Sequence, residues 1–290
     1  MRFRIARPGT TGARVYRVNA GDAEERPDEL ATEEPLEIRL IQGERRRTVA
    51  ITMRTPGCDP ELALGFLFAE GVIRRRDEVR RVEPCSESGE GCANIVEVEL
   101  EDGLPEPELA GLERHFFSTS ACGVCGKASL DALTVRVSAE IPAGPEVSPE
   151  IITGLPARLR EAQGLFESTG GLHAAALFDP AGNLLVVRED VGRHNALDKL
   201  IGWAFGEDLL PLTCHLVLVS GRSSYEILQK CLVAGVPIVC AVSAPSSLAV
   251  ELADRFGLTL IGFLRGDRFN VYSGMARVAA TPARVPLPIL

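Results

Sequence analysis

The chain has no excess of positive charge: 31 Lys and Arg stand against 40 Asp and Glu, a formal net charge of −9. A broad nucleic-acid or anionic-membrane surface is disfavoured, because an acidic protein must build any basic face locally. A small anion bound by a few arginines stays compatible with that balance. Long hydrophobic runs are also missing. The opening residues, 1–9, hold no apolar core of signal-peptide length, and the most apolar stretch, Cys231 to Val242, is broken by Gly235 and Pro237. A cytoplasmic protein without a membrane anchor is expected. Aromatic residues make up only 5%, so Val, Leu, Ile and Ala must fill the core of an otherwise ordinary globular composition.

Eight cysteines are present: Cys58, Cys85, Cys92, Cys122, Cys125, Cys214, Cys231 and Cys240. In a long chain without an export signal these are expected as reduced thiols rather than a disulfide framework. Cys214, Cys231 and Cys240 lie in apolar contexts and are expected as small buried hydrophobes.

The polar, arginine-rich residues 1–29, with Pro8, Gly9, Gly12 and Pro27, predict a flexible tail. Residues 30–141 predict a small α+β subdomain. Its parts are a hairpin over Glu34–Leu40 and Arg47–Met53, a helix with Asp59 as N-cap and Pro60 at N1, and strands Glu78–Glu83 and Asn94–Leu100. The Pro/Gly-rich stretch 142–149 marks a boundary. From there to 275 the pattern is a helix from Pro149 toward Ala162, a hairpin of His173–Phe178 with Asn183–Arg188, and a helix over Asn195–Phe205. Strands and helices then alternate: strand His215–Ser220, helix Ser223–Ala234, strand Ile238–Ser243, helix Ser246–Phe256, and strands Thr259–Leu264 and Phe269–Ser273. Strands joined by helical crossovers run parallel, so an α/β sheet with helices on its faces is expected. Residues 276–290 read as a second tail.

Three constellations carry chemistry. Cys122 and Cys125 form a Cys-x-x-Cys pair at a loop-to-helix entry, compatible with half a zinc site, a redox dithiol or a sulfur carrier. Zinc wants four ligands, and only the loosely spaced Cys85 and Cys92 remain to complete them. A helix N-terminus and Lys127 would both lower the pKa of a thiol here. Cys122, outermost on the loop, suits attack on a donor persulfide, whereas Cys125 reads equally as a relay or as a structural thiol.

The second constellation is Gly221, Arg222 and Ser223, between a strand and a helix. Ser223 with Glu226 fits a capping box, and the loop can hold an anion. Residues 243–247 and Arg265-Gly266-Asp267-Arg268 would share the same carboxyl edge of the sheet, where ligands gather in open α/β folds. The third is the polar run Arg188 to Asn195. It reads as a turn with Asp190 or Asn195 capping a helix, or as a ligand contact from Arg193 or His194. His173 is expected as a satisfied strand histidine rather than a ligand.

Taken together, these segments resemble the formate dehydrogenase accessory sulfurtransferase family, FdhD. The matching motifs are Asp59–Gly71, Cys122–Gly126, Thr169–Ala175, Glu189–Lys199, Val219–Glu226 and Gly262–Tyr272, in order along the chain. The resemblance implies a sulfurtransferase with a persulfide on Cys122 and Cys125 as its partner. Sulfur would come from a cysteine desulfurase and pass to bis-molybdopterin guanine dinucleotide, the molybdenum cofactor of formate dehydrogenase, with Phe263, Leu264, Arg265, Gly266, Asp267 and Arg268 contacting that cofactor. A homodimer and a cytidine-deaminase-like layered sheet are implied too. His173-Ala174-Ala175 lacks the His-x-Glu of zinc deaminases, so deamination is not expected.

Overall fold

The computed structural model describes residues 4–7, 9–85, 92–107, 141 and 143–279. Cys122 and Cys125 lie outside them, as do residues 280–290.

Residues expected as an N-terminal tail instead form an antiparallel sheet of β1 (Arg4–Arg7), β2 (Thr10–Asn19) and β3 (Asp22–Ala31). The missed signal is a two-residue turn at Ala20-Gly21, both at positive φ (49° and 105°), the backbone that tight hairpins use. Pairing then runs unbroken from Asn19↔Asp22 to Thr10↔Ala31. The base of the ribbon is tied down by Thr32 N donating to Gly9 O at 3.0 Å.

The expected hairpin forms as β4 (Glu34–Gln42) and β5 (Arg45–Arg54). With β6 (Val79–Pro84) and β7 (Ile95–Leu100) it builds a four-stranded sheet in the order β5-β4-β7-β6. Helix α1 (Asp59–Ala69) follows β5. Its cap is Cys58 in the left-handed region, not Asp59. The Asp59 carboxylate is committed elsewhere, accepting from Arg54 Nε at 3.0 Å and Nη2 at 2.9 Å. Arg54 is 1% exposed, and a guanidinium so buried needs that paired acceptor.

The C-terminal half holds α2 (Pro149–Ala162), the short α3 (Gly164–Thr169), β8 (His173–Phe178), β9 (Leu184–Asp190) and α4 (Arg193–Gly206). These lead into β10 (Leu216–Val219), α5 (Tyr225–Val233), β11 (Ile238–Ala241), α6 (Ser247–Phe256), β12 (Thr259–Arg265) and β13 (Arg268–Ser273). The six strands form one sheet in the order β13-β12-β11-β10-β8-β9. As expected from the helical crossovers, β10, β11 and β12 are parallel; β8, β9 and β13 join antiparallel.

Both faces of this sheet are covered, which explains why its strands read as continuous apolar runs. Alternate residues separate cleanly: Leu216, Leu218, Ile238 and Cys240 pack toward α2, whereas Val217, Val219, Val239 and Ala241 pack toward α4, α5 and α6. The second of these cores continues through α1 to Leu36, Ile38, Val96 and Val98 of the four-stranded sheet. Cys231 and Cys240 are buried as expected, but Cys214 is exposed, because it falls in the turn before β10 and not in the strand. Among the described residues no helix is long and apolar enough to cross a membrane.

Candidate functional site at the strand ends

The parallel strands β10, β11 and β12 deliver their carboxyl ends to one edge, and backbone contacts lace the loops there together. Ser246 N donates to Ser223 O at 2.9 Å, and Ser223 bridges Pro245. Phe263 N donates to Ser243 O at 3.1 Å, and Arg265 Nε to Val242 O at 3.1 Å. The Gly221–Ser223 and Phe263–Arg268 segments, far apart in sequence, therefore meet through the loop after β11.

At the β10 end, Ser220 Oγ accepts from Ala174 N at 2.9 Å, fixing the loop against β8. A Cβ on Gly221 would stand 3.3 Å from His173 Nδ1 and 3.8 Å from Arg193 Cδ. The missing side chain lets backbone, imidazole and guanidinium stem converge. His173 opens β8, the strand position expected of it, and its ring lies against Gly221. Burial first, then the charge of Arg193, lowers its pKa from the ordinary histidine value.

The expected Ser223 capping box does not form. Ser224 takes the cap position of α5 without a side-chain cap bond. His194 draws both groups aside: its Nε2 lies 3.3 Å from Ser224 Oγ and 3.4 Å from Glu226 Oε2. Serine and carboxylate face the same ring nitrogen, so this is not a Ser–His–Glu relay, which needs one on each nitrogen. Burial, reinforced by Arg193, Lys230 and His173 and opposed by Glu226, depresses His194 to about 4. The imidazole is neutral at neutral pH.

Two polar atoms in this cluster, Ser223 Oγ and Arg193 Nε, are buried without a hydrogen-bond partner. Such groups cost roughly 1–3 kcal/mol each when unpaired, so native proteins keep them for a reason. Both can donate, and Arg222, Arg265 and Arg268 on the loops of this sheet edge are exposed. The arrangement suits an anionic, oxygen-rich ligand.

The β12 end carries a further signature. Phe263 has φ 52° and is 41% exposed, a conformation costly for a bulky residue and retained preferentially at ligand sites. Leu264, by contrast, is fully buried in the core under α2, so it can contribute backbone only. Gly266, at φ 59°, turns the chain into β13.

The Arg193–His194 segment opens α4 behind Gly192, which caps the helix with no side chain. Neither Asp190 nor Asn195 occupies the cap; the Asp190 carboxylate instead gathers Gly192 N at 2.8 Å and Asn195 Nδ2 at 3.2 Å.

A neutral, partly buried His194 makes stability pH-dependent. The unfolded chain takes up a proton near the ordinary value of about 6.5, whereas the folded chain does so only near 4. The contribution is intact above about pH 6.5 and is lost as pH falls toward 4, on the order of 2–3 kcal/mol. Urea unfolding across this window should show that decline, and His194→Gln should flatten it.

Comparison with known proteins adds the following. A family profile described as the FdhD/NarQ family matches residues 31–279. The chain is 50% identical over 279 residues to the sulfur carrier protein FdhD of Streptomyces avermitilis, covering 94% of this chain and 97% of that one. It is 50% identical over 277 residues to the sulfur carrier protein FdhD of Mycobacterium tuberculosis, at 93% and 98% coverage. Identity is 44% over 265 residues to that of Saccharolobus solfataricus, at 91% and 96% coverage. A crystal structure described as a formate dehydrogenase accessory protein from Desulfotalea psychrophila superposes with TM-score 0.73 and 24% identity, covering 94% of this chain and all of that one. The fold is therefore shared with that protein, and the chain belongs to the FdhD/NarQ family.

Proposed function

We propose that the protein is a sulfur carrier serving formate dehydrogenase, with Cys122 as the carrier thiol and the strand-end site as the seat of a nucleotide-bearing molybdenum cofactor, bis-molybdopterin guanine dinucleotide. Half-identical relatives named as sulfur carrier proteins over nearly their whole length support the first part. The observation that carries the second is the pair of buried, unpartnered donors, Ser223 Oγ and Arg193 Nε, adjacent in the chain to Arg222 and His194, with Phe263 at positive φ on the same sheet edge. Phosphoryl oxygens would satisfy those donors. On this reading Arg222, Arg265, Gly266, Asp267 and Arg268 contact the cofactor from the rim, the sheet is of the cytidine-deaminase-like kind, and the carrier works as a cytoplasmic homodimer.

The sulfur chemistry balances with the two thiols. The Cys122 thiolate attacks the outer sulfur of a persulfide on a cysteine desulfurase; the donor's S–S bond breaks, its cysteine leaves as thiolate, and a persulfide forms on Cys122. The Cys125 thiolate then attacks Cys122 Sγ, giving a Cys122–Cys125 disulfide and releasing the carried sulfur as sulfide for the metal. A dithiol reductant returns the pair to thiols.

Incubating the protein with a cysteine desulfurase and cysteine should add one sulfur, visible by mass spectrometry and removed by reductant. Cys122→Ala should abolish loading, and Cys125→Ala should leave a loaded protein that releases sulfide slowly. Unchanged loading in Cys122→Ala would sink the carrier assignment. Full support of formate dehydrogenase by the double cysteine variant would make the protein a cofactor-binding chaperone instead.

A further inference from the structure

We propose that Asp190 is a positioning residue for the Arg193–His194 corner, and that Thr55 and Lys199 anchor it to the N-terminal half of the chain. The inference rests on the reading above that this corner touches the ligand.

Asp190 is completely buried and Lys199 is 2% exposed, so both act at one remove from any ligand. The two Asp190 oxygens divide the work. Oδ1 accepts from Gly192 N at 2.8 Å and Asn195 Nδ2 at 3.2 Å, shaping the corner itself. Oδ2 accepts from Thr55 N at 3.1 Å and meets Lys199 Nζ at 2.7 Å, reaching the residue that follows β5. Lys199 Nζ also donates to Thr55 O at 2.8 Å and to Glu189 O at 3.3 Å. Thr55 replies through its hydroxyl, which accepts from Val191 N at 3.1 Å. Asn195 completes the seam: its amide donates to Met53 O at 2.7 Å, and Thr52 Oγ1 donates to its Oδ1 at 3.3 Å.

Asp190 Oδ2, Val191 N and the Asn195 amide are thus matched to residues 52–55, more than 130 positions earlier. Stability alone does not account for it, because a buried ion pair is generally no more stabilising than apolar residues of the same volume. What the pair supplies is direction. The carboxylate fixes where the backbone of residues 191 and 192 turns, and hence where Arg193 and His194 emerge. The four-stranded sheet and the ligand corner become one mechanical unit, so a displacement of β5 moves Arg193 and His194.

The test uses the full chain with GDP as probe. Asp190→Asn keeps the shape but presents an amide to Lys199; we expect GDP binding to weaken at least tenfold. A structural role alone would not produce the second readout, the ring titration of each histidine followed by NMR. His194, faced by Glu226, Arg193, Lys230 and His173, should rise from about 4 toward the ordinary histidine range as the corner opens. His215, before the opposite end of β10, should stay put. Thr55→Val removes only the hydroxyl acceptor and should move both readouts in the same direction, whereas Thr55→Ser should match the parent protein.

The proposal is overturned if folded Asp190→Asn or Thr55→Val leaves His194 and GDP binding unchanged, or if Thr55→Ser behaves like Thr55→Val. Should Asp190→Asn not fold, the two Thr55 variants decide alone. Should the parent chain not bind GDP, the ligand reading fails while the His194 titration still judges the positioning role.

Discussion

Replacing Gly202 by alanine is expected to cost at least about 3 kcal/mol of stability, the upper part of the range for overpacked cores. A Cβ at that position would lie 1.7 Å from Glu61 O and 2.8 Å from Gly65 N. The relation is reciprocal: a Cβ on Gly65 would lie 1.9 Å from Asp198 O and 2.8 Å from Gly202 N. Helices α1 and α4 therefore cross backbone on backbone, and no flexible side-chain end can yield. A methyl group must push the helices apart, which opens the Phe68–Phe205 ring contact, now at 5.7 Å between centroids, and the core around Leu64, Leu67 and Ile201. Urea unfolding of Gly202→Ala and Gly65→Ala should both show the loss. Gly154, inside α2 with nothing within 4 Å of its Cβ position, gives the control: Gly154→Ala should gain about 0.5–1 kcal/mol from helix propensity. Equal effects at Gly154 and Gly202 would mean that the two helices re-space without cost.

The same crossing shows what was legible in the sequence. Helix α2 and strand β8 have the limits their local signals predict, because Pro149 opens the one and an unbroken apolar run defines the other. The parallel order of β10 to β12 followed from their alternation with helices. Local signals stop where the partner is distant. Ser223 and Glu226 carried the letters of a capping box, yet His194, 30 residues upstream, engages Ser224 and Glu226 and leaves Ser223 buried and unpaired. His173 is the strand residue expected, and its company, Gly221 and Arg193, is assembled only by the sheet. The N-terminal ribbon was missed for the opposite reason. Little of it is buried, nearly every residue from Arg14 to Asp28 being exposed, so its one clear signal was the turn at Ala20-Gly21. The residues expected at the strand ends do fall on one edge of the sheet, as the alternation of strands and helices implied, though the Leu264 side chain is buried in the core.

Removing the Lys230 side-chain charge, as in Lys230→Met, is expected to destabilise the fold by about 3–5 kcal/mol at pH 8, the cost of leaving a buried charge uncompensated. Lys230 of α5 is 2% exposed and sets Nζ 2.8 Å and 3.0 Å from the two oxygens of Asp198 on α4, itself 2% exposed. The same ammonium lies 5.7 Å from the centre of the Phe66 ring on α1, so three helices meet at one charge. Burial pushes the Asp198 carboxyl up to about 7, with Lys230 pulling the other way. Burial also works against the Lys230 charge, but Asp198, Glu70 and Glu226 together raise its pKa. Without Lys230 the cation that holds the Asp198 pKa down is gone, and the folded-state pKa moves further above the unfolded value of about 3.9. A carboxyl raised in this way is harmless when protonated and costs stability as pH rises through its folded pKa. The deficit of Lys230→Met relative to the parent should therefore be largest at pH 8 and shrink by pH 5.5. Combining it with Asp198→Leu should recover most of the loss and erase the pH dependence of the difference, because the double variant buries no charge between α4 and α5. A deficit independent of pH, or one that the double variant deepens, would show that Lys230 acts through packing against Phe66 rather than through its charge.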